Sequence, residues 1–306
     1  MHYNIVLFGV KDTTEEIVKY IENNVAKIDL IVTIDSNVSN NNHISGYKGL
    51  SYLSDEYGIG IYESKSYNLK DDETKHFFAN NTFDIGISMG WQRLIPAEVL
   101  NVFKYGIYGF HGSCGYLPYG RGRSPLNWSV INGDTRFVLN LFRYDENADS
   151  PNVFLNEMFS ITEHDSIRTL QYKNMIVSKR LIKKLIDDYR NDNIKINNSS
   201  KDFDTWYNKR TPEDGKISFE MKTRTIYNLV RGVTHPFPGA KAICNGVDIV
   251  IWEVKPFDEM LDFSDYKVGE IIDKYDDNLI VRTVDGSLLV TNYETDVELK
   301  AGDILS

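Results

Sequence analysis

The chain has 306 residues, 42% of them hydrophobic, and a formal net charge of −10. Such a length supports one large packed domain with a smaller one, and no apolar run approaches the ~20 residues of a membrane-spanning helix. Two cysteines, Cys114 and Cys244, and six histidines without ligand spacing give no disulfide framework and no zinc motif, while the acidic total disfavours a nucleic-acid partner, which ordinarily meets a basic surface.

Residues 3–9 (YNIVLFG) are an apolar run ending at Gly9. The surrounding MHYNIVLFGVKD lacks a basic leader and a small-residue cleavage site, so it reads as a first buried strand rather than a signal peptide, and the expected compartment is the cytoplasm. Ile17, Val18, Ile21 and Val25 follow at helical spacing, then a second strand at 28–34. The Asn-rich stretch 35–46 reads as a loop. A helix near 48–57, a strand near 59–63 and a helix over 71–80 come next, followed by strands at 83–90 (FDIGISMG) and 105–110 (YGIYGF). Short apolar strands alternating with helices predict an α/β domain with a mainly parallel sheet.

Strands are also expected at 136–143 and 152–162, and a long amphipathic helix at 166–190. Ser166 suits its N-cap, and Ile167, Leu170, Met175, Leu181, Ile182, Leu185 and Ile186 make its inner face. Residues 191–216 are polar and loop-like, and a short helix is expected at 220–232. Beyond it, VDIVIWEV, DNLIVRTV and SLLVTN read as strands of a small antiparallel β-module, with Asp285-Gly286 as a hairpin signal. The expected division is 1–216 and 217–306. No GxGxxG follows the first strand, since Gly9 leads into Val10-Lys11-Asp12, and there is no Walker loop, so dinucleotide and P-loop chemistry lose their main support.

The stretch 108–152 holds the residues best suited to chemistry. His111 stands at the end of an expected strand, ahead of a loop carrying Gly112, Gly115, Gly120 and Gly122, the cations Arg121 and Arg123, and a carboxylate further on at Asp149. Ligands of open α/β sheets bind outside the carboxyl ends of strands, and glycines let backbone approach a ligand closely. Singly, each residue has a plainer reading: a structural histidine, solvated arginines, a turn aspartate.

Together they carry a resemblance. HGS…LP…RGRSPLNWSVINGD resembles the signature of the folate-dependent formyltransferases, and the wording RGRSPLNW is nearest to the branch that modifies nucleotide-linked amino sugars. FDIGISMGWQRLIPAEVL at 83–100, ENADSPNVF at 146–154, KRTPEDGKISF at 209–219 and YNLVRGVTHPFPGAKA at 227–242 extend the similarity along most of the chain, in order. The resemblance implies a Rossmann-like fold. The implied activity is transfer of a formyl group from N10-formyltetrahydrofolate to an amine, with no metal. The implied partners are a folate and a nucleotide-linked amino sugar, with no membrane, and a homodimer is a further expectation. Methionyl-tRNA formyltransferase, a formyl-folate hydrolase and a binding protein without turnover are the alternatives.

Residue by residue, His111 matches the family histidine and Asp149 its distant aspartate. The chemistry suits them: attack by an amine makes an oxyanion and releases a proton, a histidine can serve either need, and a carboxylate can hold its ring. The family asparagine, two residues before the histidine, is replaced by Gly109. Its substitute is expected to be a loop N–H, Ser113 or Asn127. The pterin is expected against Ile87, Ser88, Met89, Gly90 and Trp91 and against the loop holding Tyr144, Asp145 and Asn147. Trp91 has an equal claim to the core. Arg123, Asn127 and Gly109 are expected near the acceptor, with Lys75 a candidate for its diphosphate. Asn127 also has a packing reading, because Pro125 suits a helix N1 position.

Overall fold

A computed structural model describes residues 3–145, 152–195, 197–198 (by backbone alone) and 204–306. Strand β1 (Ile5–Phe8) is buried at all four positions, as a central parallel strand covered on both faces must be. Helix α1 (Asp12–Asn24) turns Ile17, Val18 and Ile21 inward, and β2 (Leu30–Ile34) follows. The Asn-rich segment expected to be a loop contains a helix, α2 (Ser36–Asn41). Asp35 caps it by accepting the Val38 N–H at 2.8 Å, and Asn42 Nδ2 donates to the Val38 carbonyl at 2.9 Å. The polar composition that suggested a loop thus supplies a cap and a back-bond. The helix expected near 48–57 is confined to α3 (Leu53–Tyr57).

Next come β3 (Gly60–Ser64), α4 (Asp72–Ala79), β4 (Ile85–Ser88), α5 (Ala97–Leu100) and β5 (Ile107–Ser113). Beyond the short β6 (Arg121–Gly122) stand α6 (Pro125–Ile131), β7 (Arg136–Arg143), β8 (Asn152–Ser160) and α7 (Ile167–Arg190). Ser166 Oγ accepts the Thr169 N–H at 3.5 Å, a long cap bond, and the seven inner-face residues of α7 named above are all buried. After β9 (Asn197–Asn198), β10 (Trp206–Tyr207) and a 3-10 turn at Pro212–Gly215, helix α8 (Thr223–Val233) precedes five strands. These are β11 (Ala240–Cys244), β12 (Val247–Asp258), β13 (Ile271–Tyr275), β14 (Asn278–Thr283) and β15 (Gly286–Thr295).

The main sheet has the order β3-β2-β1-β4-β5-β7-β8-β9. From β3 to β5 the pairs are parallel, with Leu7 between Ile31 and Ile87 in register; β5 and β7 are antiparallel. The C-terminal sheet, β11-β12-β15-β14-β13, is antiparallel throughout. An α/β fold with a small antiparallel module is thus what the chain forms.

By contacts the chain divides into two units built from interleaved segments: 1–121, 138–158 and 174–205 in the first, 122–137, 159–173 and 206–306 in the second. The first has a core around Val6, Phe8, Val32, Ile34, Phe78 and Ile107. In the second, Ile226, Leu229, Val230 and Val233 of α8 pack with Ile249, Ile251, Val281, Leu288 and Val290 of the sheet. Each such side chain contributes roughly 2 kcal/mol of transfer free energy, which makes α8 the anchor of the module.

Candidate active site

The order β3-β2-β1-β4-β5 means that the chain steps outward from β1 and returns beside it at β4. Such a reversal opens a crevice at the carboxyl ends of the two strands. Gly9 follows β1 here, and Met89-Gly90 follow β4. A Cβ at Gly9 would lie 2.2 Å from Thr14 Oγ1 and 2.3 Å from the Met89 carbonyl oxygen, so only glycine allows this approach. Thr14 Oγ1 donates to that carbonyl at 2.6 Å and accepts the Lys11 N–H at 3.2 Å, tying the first turn of α1 to the turn after β4. Ile87 and Ser88 are the buried last residues of β4, and Met89 and Gly90 are half-buried at the crevice. Trp91 is 7% exposed, and its ring meets Phe8 edge-on at 6.2 Å and Tyr67 at 4.8 Å. Of its two readings, the core one is what the packing favours.

Strand β5 pairs with β4 only at Gly86↔Ile107 and Ile87↔Tyr108, while its pairing with β7 runs on to Ser113↔Val138. His111 therefore lies inside the strand, two residues short of its end, and not at the mouth of the loop. The longer pairing with β7, whose inner positions are all buried, carries the strand on. Residues 109–113 run beyond the last pair with β4, with Gly109, His111 and Ser113 alternating onto one face.

His111 is 8% exposed, and its Nε2 lies 2.7 Å from the Gly120 carbonyl oxygen. A carbonyl only accepts, so Nε2 is the donor in this bond. Ser113 is fully buried; its hydroxyl is shared between the carbonyls of Gly115 at 2.9 Å and Tyr119 at 2.8 Å and accepts the Gly115 N–H. The hydroxyl proposed as a catalytic donor is thus committed to shaping the loop. Opposite His111 stands Asn140, a residue that the sequence reading missed. Its Nδ2 donates to the His111 carbonyl at 3.2 Å, and its Oδ1 is buried and accepts nothing from the described residues. The signal was one amide inside the apolar run RFVLNLFR.

Gly109 is buried, and a Cβ there would lie 2.0 Å from the hydroxyl oxygen of Tyr144. Tyr144 and Asp145 line a recess of about 200 Å³ with Ala97, Leu100, Gly106 and Arg143. Lys75 projects from α4, 3.8 Å from Asp72, and lines a separate recess of about 340 Å³ with Lys70, Ile95 and Glu98. Asp149 and Asn147 lie outside the described residues.

The first unit thus brings together Ile87 to Gly90, Gly109, His111, Ser113, Tyr144 and Asp145. Arg121, also in that unit, is ion-paired with Asp204 at 2.8 Å. Arg123 and Asn127 belong to the second unit. Arg123 has an exposed side chain, and its N–H donates to the Tyr207 carbonyl at 3.1 Å. Asn127 is 4% exposed and donates from Nδ2 to the Gly232 carbonyl at 2.8 Å, which makes it a clamp between α6 and α8. Pro125 stands at N1 of α6, the position that the packing reading gave it. Among the described residues no group of three His, Cys, Asp or Glu is placed to hold a metal.

Residues 4–185 match the family model described as formyl transferase, and residues 209–304 match formyl transferase, C-terminal domain. A methionyl-tRNA formyltransferase of Fusobacterium nucleatum is 29% identical over 235 residues, 76% of this chain and 74% of the relative. Among solved structures, the N-formyltransferase of Helicobacter canadensis, in complex with folinic acid and dTDP-3-aminofucose, superposes with a TM-score of 0.70 at 16% identity, covering 95% of this chain and all of the other. WlaRD, a sugar 3N-formyl transferase crystallised with dTDP and 5-N-formyl-THF, gives 0.67 at 16% identity over 98% of this chain and all of its own.

Proposed function

The chain belongs to the formyl transferase family, and from that premise we propose that it transfers a formyl group from N10-formyltetrahydrofolate to the amine of a nucleotide-linked amino sugar. The observation that carries the reading is the position of His111: a buried imidazole, oriented by the bond from Nε2 to the Gly120 carbonyl, on the stretch of β5 that outruns its pairing with β4. Backbone groups at Ile87, Ser88, Met89 and Gly90, with those of Asp145 and Asn147, hold the pterin. Nδ1 of His111 takes the proton released when the amine attacks the formyl carbon, and Asp149 steadies the charged ring. A planar fork such as that of Arg123 binds two oxygens of a phosphate, and Lys75 offers a point charge for one. For the sugar acceptor, the support is likeness over 95% and 98% of this chain to an N-formyltransferase complexed with dTDP-3-aminofucose and to a sugar 3N-formyl transferase.

A second reading, formylation of methionyl-tRNA, is favoured by the Fusobacterium relative. The net charge of −10 weighs against a polyanion of that size. The test is incubation with N10-formyltetrahydrofolate and, in parallel, a panel of dTDP- and UDP-amino sugars and a methionyl-tRNA, with products read by mass spectrometry. An N-formyl sugar supports the proposal. Formyl-methionyl-tRNA alone establishes the second reading, formate without acceptor a hydrolase, and folate binding without any product a binding protein.

A further inference from the structure

Positions 109 and 111 of β5 share one face of the sheet, because side chains alternate along a strand. An ideal Cβ at Gly109 would stand 2.0 Å from the Tyr144 hydroxyl oxygen, 2.2 Å from Cζ and 2.3 Å from Cε1. The phenol of Tyr144 therefore occupies the volume that a side chain at 109 would take, on the face that carries His111. The glycine is what admits it: any larger residue at 109 would displace the ring. The ring is held in turn, its backbone N–H donating to the Ile107 carbonyl at 2.8 Å and its centroid lying 5.2 Å from that of Phe142. Of the two side chains expected to replace the asparagine, Ser113 spends its one hydroxyl donor on its own loop, and Asn127 donates to Gly232.

Resting on the formyl-transfer reading, we propose that the hydroxyl of Tyr144 is the hydrogen-bond donor to the formyl oxygen, taking from just beyond the end of β7 the place left by the missing side chain at Gly109. The acceptor amine forms the new C–N bond with its lone pair, and the C=O π pair moves onto oxygen. Tyr144 donates a hydrogen bond to that oxygen and keeps its proton. Collapse restores C=O and breaks the bond to N10, which receives the proton given up by the attacking nitrogen and carried by His111. The products are a formamide and tetrahydrofolate. A donor aimed at the developing charge and fixed beforehand lowers the barrier more than it tightens substrate binding.

Tyr144→Phe removes the oxygen and keeps the ring. With the protein carrying a stable folate analogue bearing a ¹³C-labelled formyl group on N10, the isotope-edited infrared carbonyl stretch is expected at lower frequency in the wild type than in Y144F. In turnover, kcat of Y144F is expected to fall by about 10²–10³ with both KM values within about twofold. A structural role would move the melting temperature instead. Rescue completes the test: Tyr144→Ala is expected to lose activity, and G109N in the Y144A background, where the ring no longer blocks position 109, to regain at least about tenfold. An identical stretch in the two proteins, or a Y144F turnover number equal to that of the wild type, overturns the assignment while leaving formyl transfer in place. If the wild type binds the analogue and formylates none of the acceptors, the stretch alone decides Tyr144, and the sugar reading fails separately. No binding of the analogue overturns both.

Discussion

Nε2 of His111 donates to the carbonyl of Gly120, a residue of the loop that the Ser113 hydroxyl also holds. Imidazole orientation and loop shape are thus one structure, and two variants separate them. His111→Asn removes the proton acceptor; kcat is expected to fall by about 10²–10⁴ while affinity for a formyl-folate analogue stays within a few-fold. Ser113→Ala leaves the imidazole and loosens the loop. Its expected cost is about 1–3 kcal/mol of stability, read from denaturant unfolding, because the Gly115 N–H and two carbonyls lose a buried partner. Wild-type stability in S113A would show that the hydroxyl does not hold the loop. His111 and Gly109 were legible in the sequence because both belong to one contiguous motif. The phenol over Gly109 was not, since position 144 reaches 109 only through the pairing of β5 with β7, and no local pattern encodes a contact 35 residues away.

At the scale of elements, the hairpin between β14 and β15 does more than reverse the chain. Thr283 pairs with Gly286, so Val284 and Asp285 form the turn. Asp285 Oδ1 accepts the Thr223 N–H at 2.8 Å and the Thr223 hydroxyl at 2.9 Å, while Lys222, the N-cap residue of α8, makes no cap bond. The hairpin therefore caps the helix that anchors the module. Asp285→Ala is expected to cost about 1 kcal/mol, and Asp285→Asn distinctly less, since the amide oxygen still accepts; equal losses in urea titrations would show that charge and not the hydrogen bond is what counts. The Asp-Gly pair marked the hairpin one residue late, since Gly286 is already the first paired residue of β15. The service of Asp285 to α8 was not legible, because it and Thr223 are 62 positions apart. The helix α2 was hidden for a related reason: asparagine is a poor helix former by composition, and the cap at Asp35 that offsets this is one residue in a polar run.

For the molecule as a whole, hydrophobic period told which side chains would be buried but not which unit would bury them, so the interleaving of 122–137 and 159–173 with the C-terminal segment had no signature in the sequence. Charge is distributed in the same non-local way. A chain with a net charge of −10 repels itself, yet Glu15 of α1 gathers cations: Lys19 at 2.7 Å, with Lys48, and the hydroxyl of Tyr52. Hydrogen bonds from Lys19, then from Lys48 and Tyr52, lower its carboxyl from the ordinary 4.5 to about 2. A carboxylate whose pKa is depressed by folding binds fewer protons in the native state, so it stabilises the fold fully above its unfolded value and loses that contribution as the pH falls. The window here runs from about pH 4.5 down to about 2. The lysines are 41% and 44% exposed, so the contribution at neutral pH is about 1 kcal/mol rather than what the shift alone would suggest. Glu15→Gln is accordingly expected to lower stability by about that amount at pH 7 and to make the acid limb of the stability curve shallower across that window. Urea unfolding of both proteins at a series of pH values measures it, and curves that stay parallel down to pH 2 would mean that Glu15 titrates alike in the folded and unfolded chain.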